Sequence, residues 1–317
     1  MKFAGVICFL VIGAFAMTTQ AESEYSWRRL PWNAEPAWES STGAWRAVVS
    51  ESRGRLIYLG RASADENVLH APPHLENPQS WGGHRLWLGP QNTWKLFWPP
   101  PADWESSAAA KVEVDGDTLR LTMPHTDPDY PAFTREYRWE KGRLICDGSW
   151  VSGESLASYQ IIHILQLPGH AVVTAHAQPR EDLPSGFAVL SIVNDHQMVI
   201  REPPESPRIT REENRLTIRL VEGAEEKIGL PPQPLLAEVN GVRIRLLRGV
   251  TNGKAVAMPD DGLLTQVYTS EVPRAPLVEI EQLSPLLVPV GSEKRAGFAI
   301  EIELSEVDLP ARPTPGK

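Results

Sequence analysis

The sequence predicts an all-β protein, built as one large antiparallel β-sandwich. Three observations carry that expectation. Short runs of alternating apolar and polar residues recur along the chain, bounded by turn residues. No stretch keeps a helical spacing of apolar residues for more than two turns. VDGD, EKG and VNGV stand between paired runs, with a glycine able to take the positive φ of a tight hairpin loop.

In chain order, RAVVS and RLIYLG open the pattern, and AKVEVDGDTLRLTMP and FTREYRWEKGRLICDGSW read as hairpins. SYQIIHILQLP follows as a longer strand. The second half repeats the habit in GFAVLSIVND, HQMVIREP, RLTIRLVEG, LLAEVNGVRIRLLRG, LTQVYTSE, LVEIEQLSP and GFAIEIEL. Self-similarity at a period of roughly 20–50 residues is missing, which disfavours a propeller. No composition shift or Ser/Gly linker divides the chain, so one domain of two sheets packed face to face fits best.

The N-terminus speaks to location. Lys2 precedes FAGVICFLVIGAFAM, an apolar run of secretory length that falls short of the roughly 18–20 residues a membrane span needs. TTQA follows, so residues 1–21 read as a signal peptide cut before Glu22. Residues 22–43 then form an N-terminal extension, 44–305 the sandwich domain and 306–317 a flexible tail. The expected location is periplasmic or secreted through a Sec-type signal, with no membrane span left after signal removal. Cys8 would leave with the signal, and Cys146, alone in RLICDGSW, reads as a core thiol. A net charge of −9 argues against nucleic acid as a partner.

Residues 81–98 read WGGHRLWLGPQNTWKLFW and hold Trp81, Trp87, Trp94 and Trp98 in a segment broken by Gly and Pro. Such a loop either buries its rings to hold itself down or presents them. Presented, they would suit a pyranose, whose C–H face fits an aromatic platform and whose hydroxyl rim fits His84, Arg85 and Gln91. The missing side chains of Gly82 and Gly83 would let a ligand approach the backbone.

The resemblance becomes specific at RGRLIYLG, ENVLH and WGGHRLWLGPQNTWKLFWPPP, followed in order by YQIIHILQLP, EKIGLPP, DDGLLTQVYTSE and VEIEQLSPLLVPVGSEKR. Together these resemble the galactose-mutarotase-like (aldose 1-epimerase) superfamily over residues 44–305, and within it the uncharacterised DUF4380 subfamily. The resemblance implies the galactose-mutarotase-like supersandwich, no cofactor, and a carbohydrate or sugar derivative as partner. It also implies anomer exchange by a glutamate base and a histidine acid on opposite sides of one sugar. By resemblance the base is Glu281 and the acid His163. His84, Arg85, Trp87, Gln91, Trp94, Gln166 and Glu279 would bind substrate. The Asn-Arg pair before a His-Gly-Gly that marks true mutarotases is not present; the chain has RASADENVLH and then GGHR.

The residues themselves leave both candidates open. Strand alternation puts Glu279 and Glu281 on one face, but a strand glutamate is usually solvated. His163 stands within a run of Ile and Leu, where a hydrogen-bonded core histidine is the ordinary explanation. Gln166 lies at odd spacing from His163 and needs a bulge to join it. No metal is expected, because His70, His74 and His125 lack ligand spacing and Asp127 and Asp129 read as a turn. Glu225, Glu226 and Lys227 read as a solvated run before a strand, with a second reading in which Lys227 faces the site. The common nucleophile-elbow and phosphate-loop motifs do not occur. Three readings remain: an exported epimerase-like protein, a carbohydrate-binding accessory module without the chemistry, and an envelope protein whose tryptophan loop meets a partner chain.

Overall fold

The computed structural model describes residues 25–71, 81–96, 98–152, 157–194, 196–221, 225–271, 276–292 and 294–307. In chain order the strands begin with β1 (Arg28–Trp32), β2 (Glu35–Ser41), β3 (Trp45–Ser50), β4 (Arg55–Arg61) and β5 (His84–Gly89). One short helix, α1 (Ala102–Glu105), precedes β6 (Lys111–Asp115), β7 (Thr118–Thr122), β8 (Ala132–Glu140), β9 (Arg143–Val151) and β10 (Gln160–Pro168). Next come β11 (Val172–His176), β12 (Ala188–Val193), β13 (His196–Ile200), β14 (Ile209–Glu212), β15 (Arg215–Arg219), β16 (Glu226–Leu230) and β17 (Leu235–Val239). The last are β18 (Val242–Asn252), β19 (Lys254–Ala257), β20 (Thr265–Ser270), β21 (Leu277–Leu283), β22 (Leu286–Val288) and β23 (Arg295–Glu306).

The all-β expectation holds, and every strand pairing is antiparallel. A seven-stranded sheet runs β13-β12-β16-β20-β21-β10-β5, and a ten-stranded sheet runs β14-β15-β11-β17-β18-β23-β9-β8-β7-β6. Their facing sides form one large core that includes Leu86, Tyr137, Ile161, Leu165, Ile280 and Phe298. A Cβ on Gly148 of β9 would lie 2.7 Å from Leu86 of β5, so the two layers touch where β9 has no side chain. Cys146, on the same strand, is fully buried, and burial pushes its thiol well up from the ordinary value.

The strands β1 to β4 form a separate four-stranded sheet. β1 and β2 precede residue 44, and β2 pairs with β3 from Ala37↔Ser50 to Ser41↔Arg46. The described part of the expected extension, 22–43, is therefore a hairpin of this sheet, and the boundary at residue 44 is not a structural one. β23 likewise ends at Glu306, inside the expected tail. The signal-peptide expectation for 1–21 and most of the tail lie outside the described residues. No described helix is long and apolar enough to cross a membrane.

Candidate functional site

Register decides which side chains meet. Cα partners run Gln266–Glu281–Ile164–Arg85 across β20, β21, β10 and β5. The next rung on the same face carries Tyr268, Glu279 and Gln166, extended by Lys227 of β16. A third rung pairs Leu283, Ile162 and Trp87. This is the outward face of the seven-stranded sheet. The intervening rungs, Thr265–Gln282–His163–Leu86 and Val267–Ile280–Leu165–His84, face the ten-stranded sheet.

The expected pairing of Glu281 with His163 is therefore corrected. Glu281 is the partner of Ile164 and His163 that of Gln282, so a one-residue offset sends the two side chains to opposite faces. His163 is fully buried in the sandwich. Its Nε2 lies 2.8 Å from the Phe298 carbonyl, and its Nδ1 lies 3.0 Å from His84 Nε2. His84 Nδ1 stands 3.3 Å from the Tyr137 hydroxyl. A carbonyl can only accept, so His163 carries its hydrogen on Nε2. His84 then donates from Nε2, and the Tyr137 hydroxyl donates to His84 Nδ1. Every member is neutral. Burial, with Arg135 as a lesser cause, pushes His163 down to about 3 and His84 well below its ordinary value.

Five of the expected site residues do share the outward face: Arg85, Trp87, Gln166, Glu279 and Glu281. Gln166 needs no bulge, because it shares the parity of Ile164 rather than that of His163. Its Nε2 donates to Glu279 Oε1 at 2.5 Å, and Arg85 Nη1 stands 3.4 Å from the same oxygen. Arg85 also reaches Glu105 of α1, Nη2 to Oε1 at 3.1 Å. Glu105 in turn accepts from Trp87 Nε1 at 2.8 Å and pairs with the buried Arg55 at 3.4 Å. Lys227 Nζ lies 3.1 Å from Glu281 Oε2. Glu281 is only 1% exposed. Burial raises its pKa, with Glu279 and Asp260 adding to the rise and Lys227 opposing it.

The tryptophan segment is mostly held inward. Trp81, Trp87, Trp94 and Trp104 are buried, whereas Trp98 is 48% exposed. Trp94 meets Trp87 and Trp104 edge-on, with centroids 5.6 and 6.2 Å away, and its Nε1 donates to the Leu88 carbonyl at 2.6 Å. Trp94 thus packs the loop. Gln91 lies in a 3-10 turn past Gly89, whereas Arg85 stands near the other end of β5. Trp94, its N–H spent on a carbonyl, does not join the carboxylates, and Gln91 stands at the far end of β5 from them. The Gly-Gly pair admits the chain itself rather than a ligand. A Cβ on Gly82 would lie 1.9 Å from the His70 carbonyl, and one on Gly83 2.2 Å from that of Leu56.

Sequence reasoning missed Gln266, Tyr268, Asp260 and Glu105; of its two readings of Lys227, solvated or facing the site, the second matches the ion pair with Glu281. The alternation in TQVYTS puts Gln266 and Tyr268 on one face, but only the strand order sets them beside Glu279 and Glu281. A cavity of about 550 Å³ adjoins the patch, lined by Lys227 and Tyr268 together with Arg208, Glu225, Glu226 and Ile192. Ligand pockets usually span ~300–1,000 Å³. Among the described residues no group of three or more His, Cys, Asp or Glu could hold a metal ion.

No protein-family model and no curated protein matches the chain in sequence. Solved structures do match it in fold. A galactose mutarotase related enzyme from Lactobacillus acidophilus aligns with a TM-score of 0.54 at 11% identity, over 86% of this chain and 98% of that one. YeaD from Salmonella typhimurium, provisionally described as a mutarotase, aligns at 0.50 and 12% identity, over 89% and 94%. HI1317 aligns at 0.50 and 14% identity, over 91% and 97%. At such identities the likeness shows a shared fold, that of the mutarotase-like sandwiches.

Proposed function

We propose that the protein is a carbohydrate-binding protein that holds a sugar derivative on the outward face of the seven-stranded sheet, at Arg85, Trp87, Gln166, Glu279, Glu281 and Lys227. The observation that carries this reading is the joining of two buried carboxylates, a guanidinium and an ammonium on one patch. Charged groups are rarely buried without a use or a full set of partners. The patch also lies in a fold shared with a galactose mutarotase related enzyme. The motif order within residues 44–305 supports kinship with the DUF4380 group, and the apolar run after Lys2 supports export.

Binding is preferred over catalysis for a geometric reason. Anomer exchange needs an acid and a base within reach of one sugar, and His163 stands on the core side. The second reading, epimerase chemistry with Glu281 as base, draws on the raised proton affinity of that carboxyl. Anomer-exchange NMR with hexoses, hexuronic acids and sugar phosphates separates the two. We expect sugar signals to broaden without faster exchange in the wild type, and to broaden less in Glu281→Gln. Faster exchange that disappears in Glu281→Gln would establish catalysis instead. If no sugar broadens, the binding reading fails.

A further inference from the structure

Two acceptor oxygens on neighbouring strands lack donors. Glu281 gives Oε2 to Lys227, but its Oε1 is buried with no hydrogen-bond partner among the described residues. Gln266, its Cα partner on β20, is fully buried and its Oε1 is likewise unpartnered. The orientation of that amide is not interchangeable. Its nitrogen donates to Asp260 Oδ2 at 3.0 Å and to the Leu263 carbonyl at 3.0 Å, and both of these can only accept. A flipped amide would set oxygen against oxygen twice. A buried acceptor without a donor is costly, so a pair of them calls for a donor from outside the chain.

The surrounding charge says what kind. Arg55, Arg85 and Lys227 are matched by Glu105, Glu279 and Glu281. Asp260, held by Gln266, and Glu225, which accepts from the Tyr268 hydroxyl, add two more carboxylates on the same side. The patch has no cation to spare for a phosphate or a uronate. Lys227 lines both the ion pair with Glu281 and the adjoining cavity, so a ligand entering there meets an ammonium already seated on this carboxylate.

We infer that the site takes a cationic sugar, an aldose bearing a free amine, with its ammonium bonded to Glu281 Oε1 and Gln266 Oε1. The inference rests on the sugar-binding reading above and deepens it. A sugar's neutral hydroxyl would fill one acceptor, whereas an ammonium has three donors and the charge that the two excess carboxylates favour.

The test is titration calorimetry of the full chain with glucosamine, glucose and glucose 6-phosphate, below neutral pH so that the amine is protonated. Glucosamine is expected to bind at least about tenfold more tightly than glucose, with glucose 6-phosphate weakest. The preference should fall to near parity in Glu281→Gln. It should shrink by a smaller factor in Asp260→Asn, a change in a half-buried 3-10 turn that guards against misfolding of the first variant. Equal affinity for glucosamine and glucose would overturn the amine inference while leaving sugar binding intact. The two oxygens would then hold water or share Glu281's own proton. Binding of none of the three sugars would overturn both.

Discussion

His163 shows how far a single position reaches. One residue along β10 in either direction lies an outward side chain, Ile162 or Ile164; at 163 the imidazole closes a chain from Tyr137 through His84 to the Phe298 carbonyl. Replacing it with leucine, a side chain the pocket could hold, strands the His84 N–H and the carbonyl. His163→Leu should therefore cost about 1–3 kcal/mol, read as a lower urea midpoint, with sugar affinity unchanged in whatever fraction stays folded. Unchanged stability with lost affinity would mean that the imidazole acts on the outward face after all. The sequence marked His163 as unusual, because a polar ring in an Ile/Leu run is costly unless bonded. It could not mark the face. Parity along β10 was legible, but its registration against β21 was set by long-range pairing.

At the scale of elements, β5 and the loop before it are a clamp. Arg53 donates to the Trp81 carbonyl and Arg55 to that of Gly82, each at 3.3 Å, while Arg135 reaches the carbonyls of Gly54 and Leu86. The Gly83 amide bonds the His70 carbonyl at 2.7 Å, and its φ of 78° lies in the left-handed region. Gly83→Ala meets both strain and the Leu56 carbonyl. The expected loss is above about 2 kcal/mol, checked by thermal unfolding; an unchanged midpoint would show that the loop can shift at no cost. The alternation of HRLWLG was visible in the sequence, and so was the wealth of indole. What the rings do was not visible, since α1 and β8, which Trp104 and Phe133 bring to them, lie outside the segment.

For the whole molecule, the neutral imidazoles set a response to acid. His84 and His163 have folded-state pKa values below the ordinary 6.5, for His163 at about 3. Below about pH 6.5 the unfolded chain takes up protons that the folded chain refuses. Stability should fall across the window from 6.5 down to about 3, by up to ~1.4 kcal/mol per pH unit for each histidine. Glu281 and Asp260, raised by burial, act in the opposite sense, since their folded forms bind protons more readily than the unfolded chain does. They soften the fall, as does Asp147, which burial pushes up to about 6. Urea midpoints measured from neutral pH downward should drop, and a flat profile would mean that the imidazoles are charged in the folded state. The two-sheet architecture was legible from alternation alone. The four-stranded sheet was not, because EPAWESS gives only a weak alternating signal and takes its strand form from pairing with β3.

The outward and inward rungs of β10 and β21 alternate residue by residue, so the same few strands carry two separate vocabularies. Gln166, Glu279 and Glu281 spell one of them, the two carboxylates in ion pairs with Arg85 and Lys227, and His84, His163 and Gln282 spell the other, between the layers. A slip of one residue in the pairing of β10 with β21 would exchange the two scripts, so the same register that closes the sandwich also composes the outer patch.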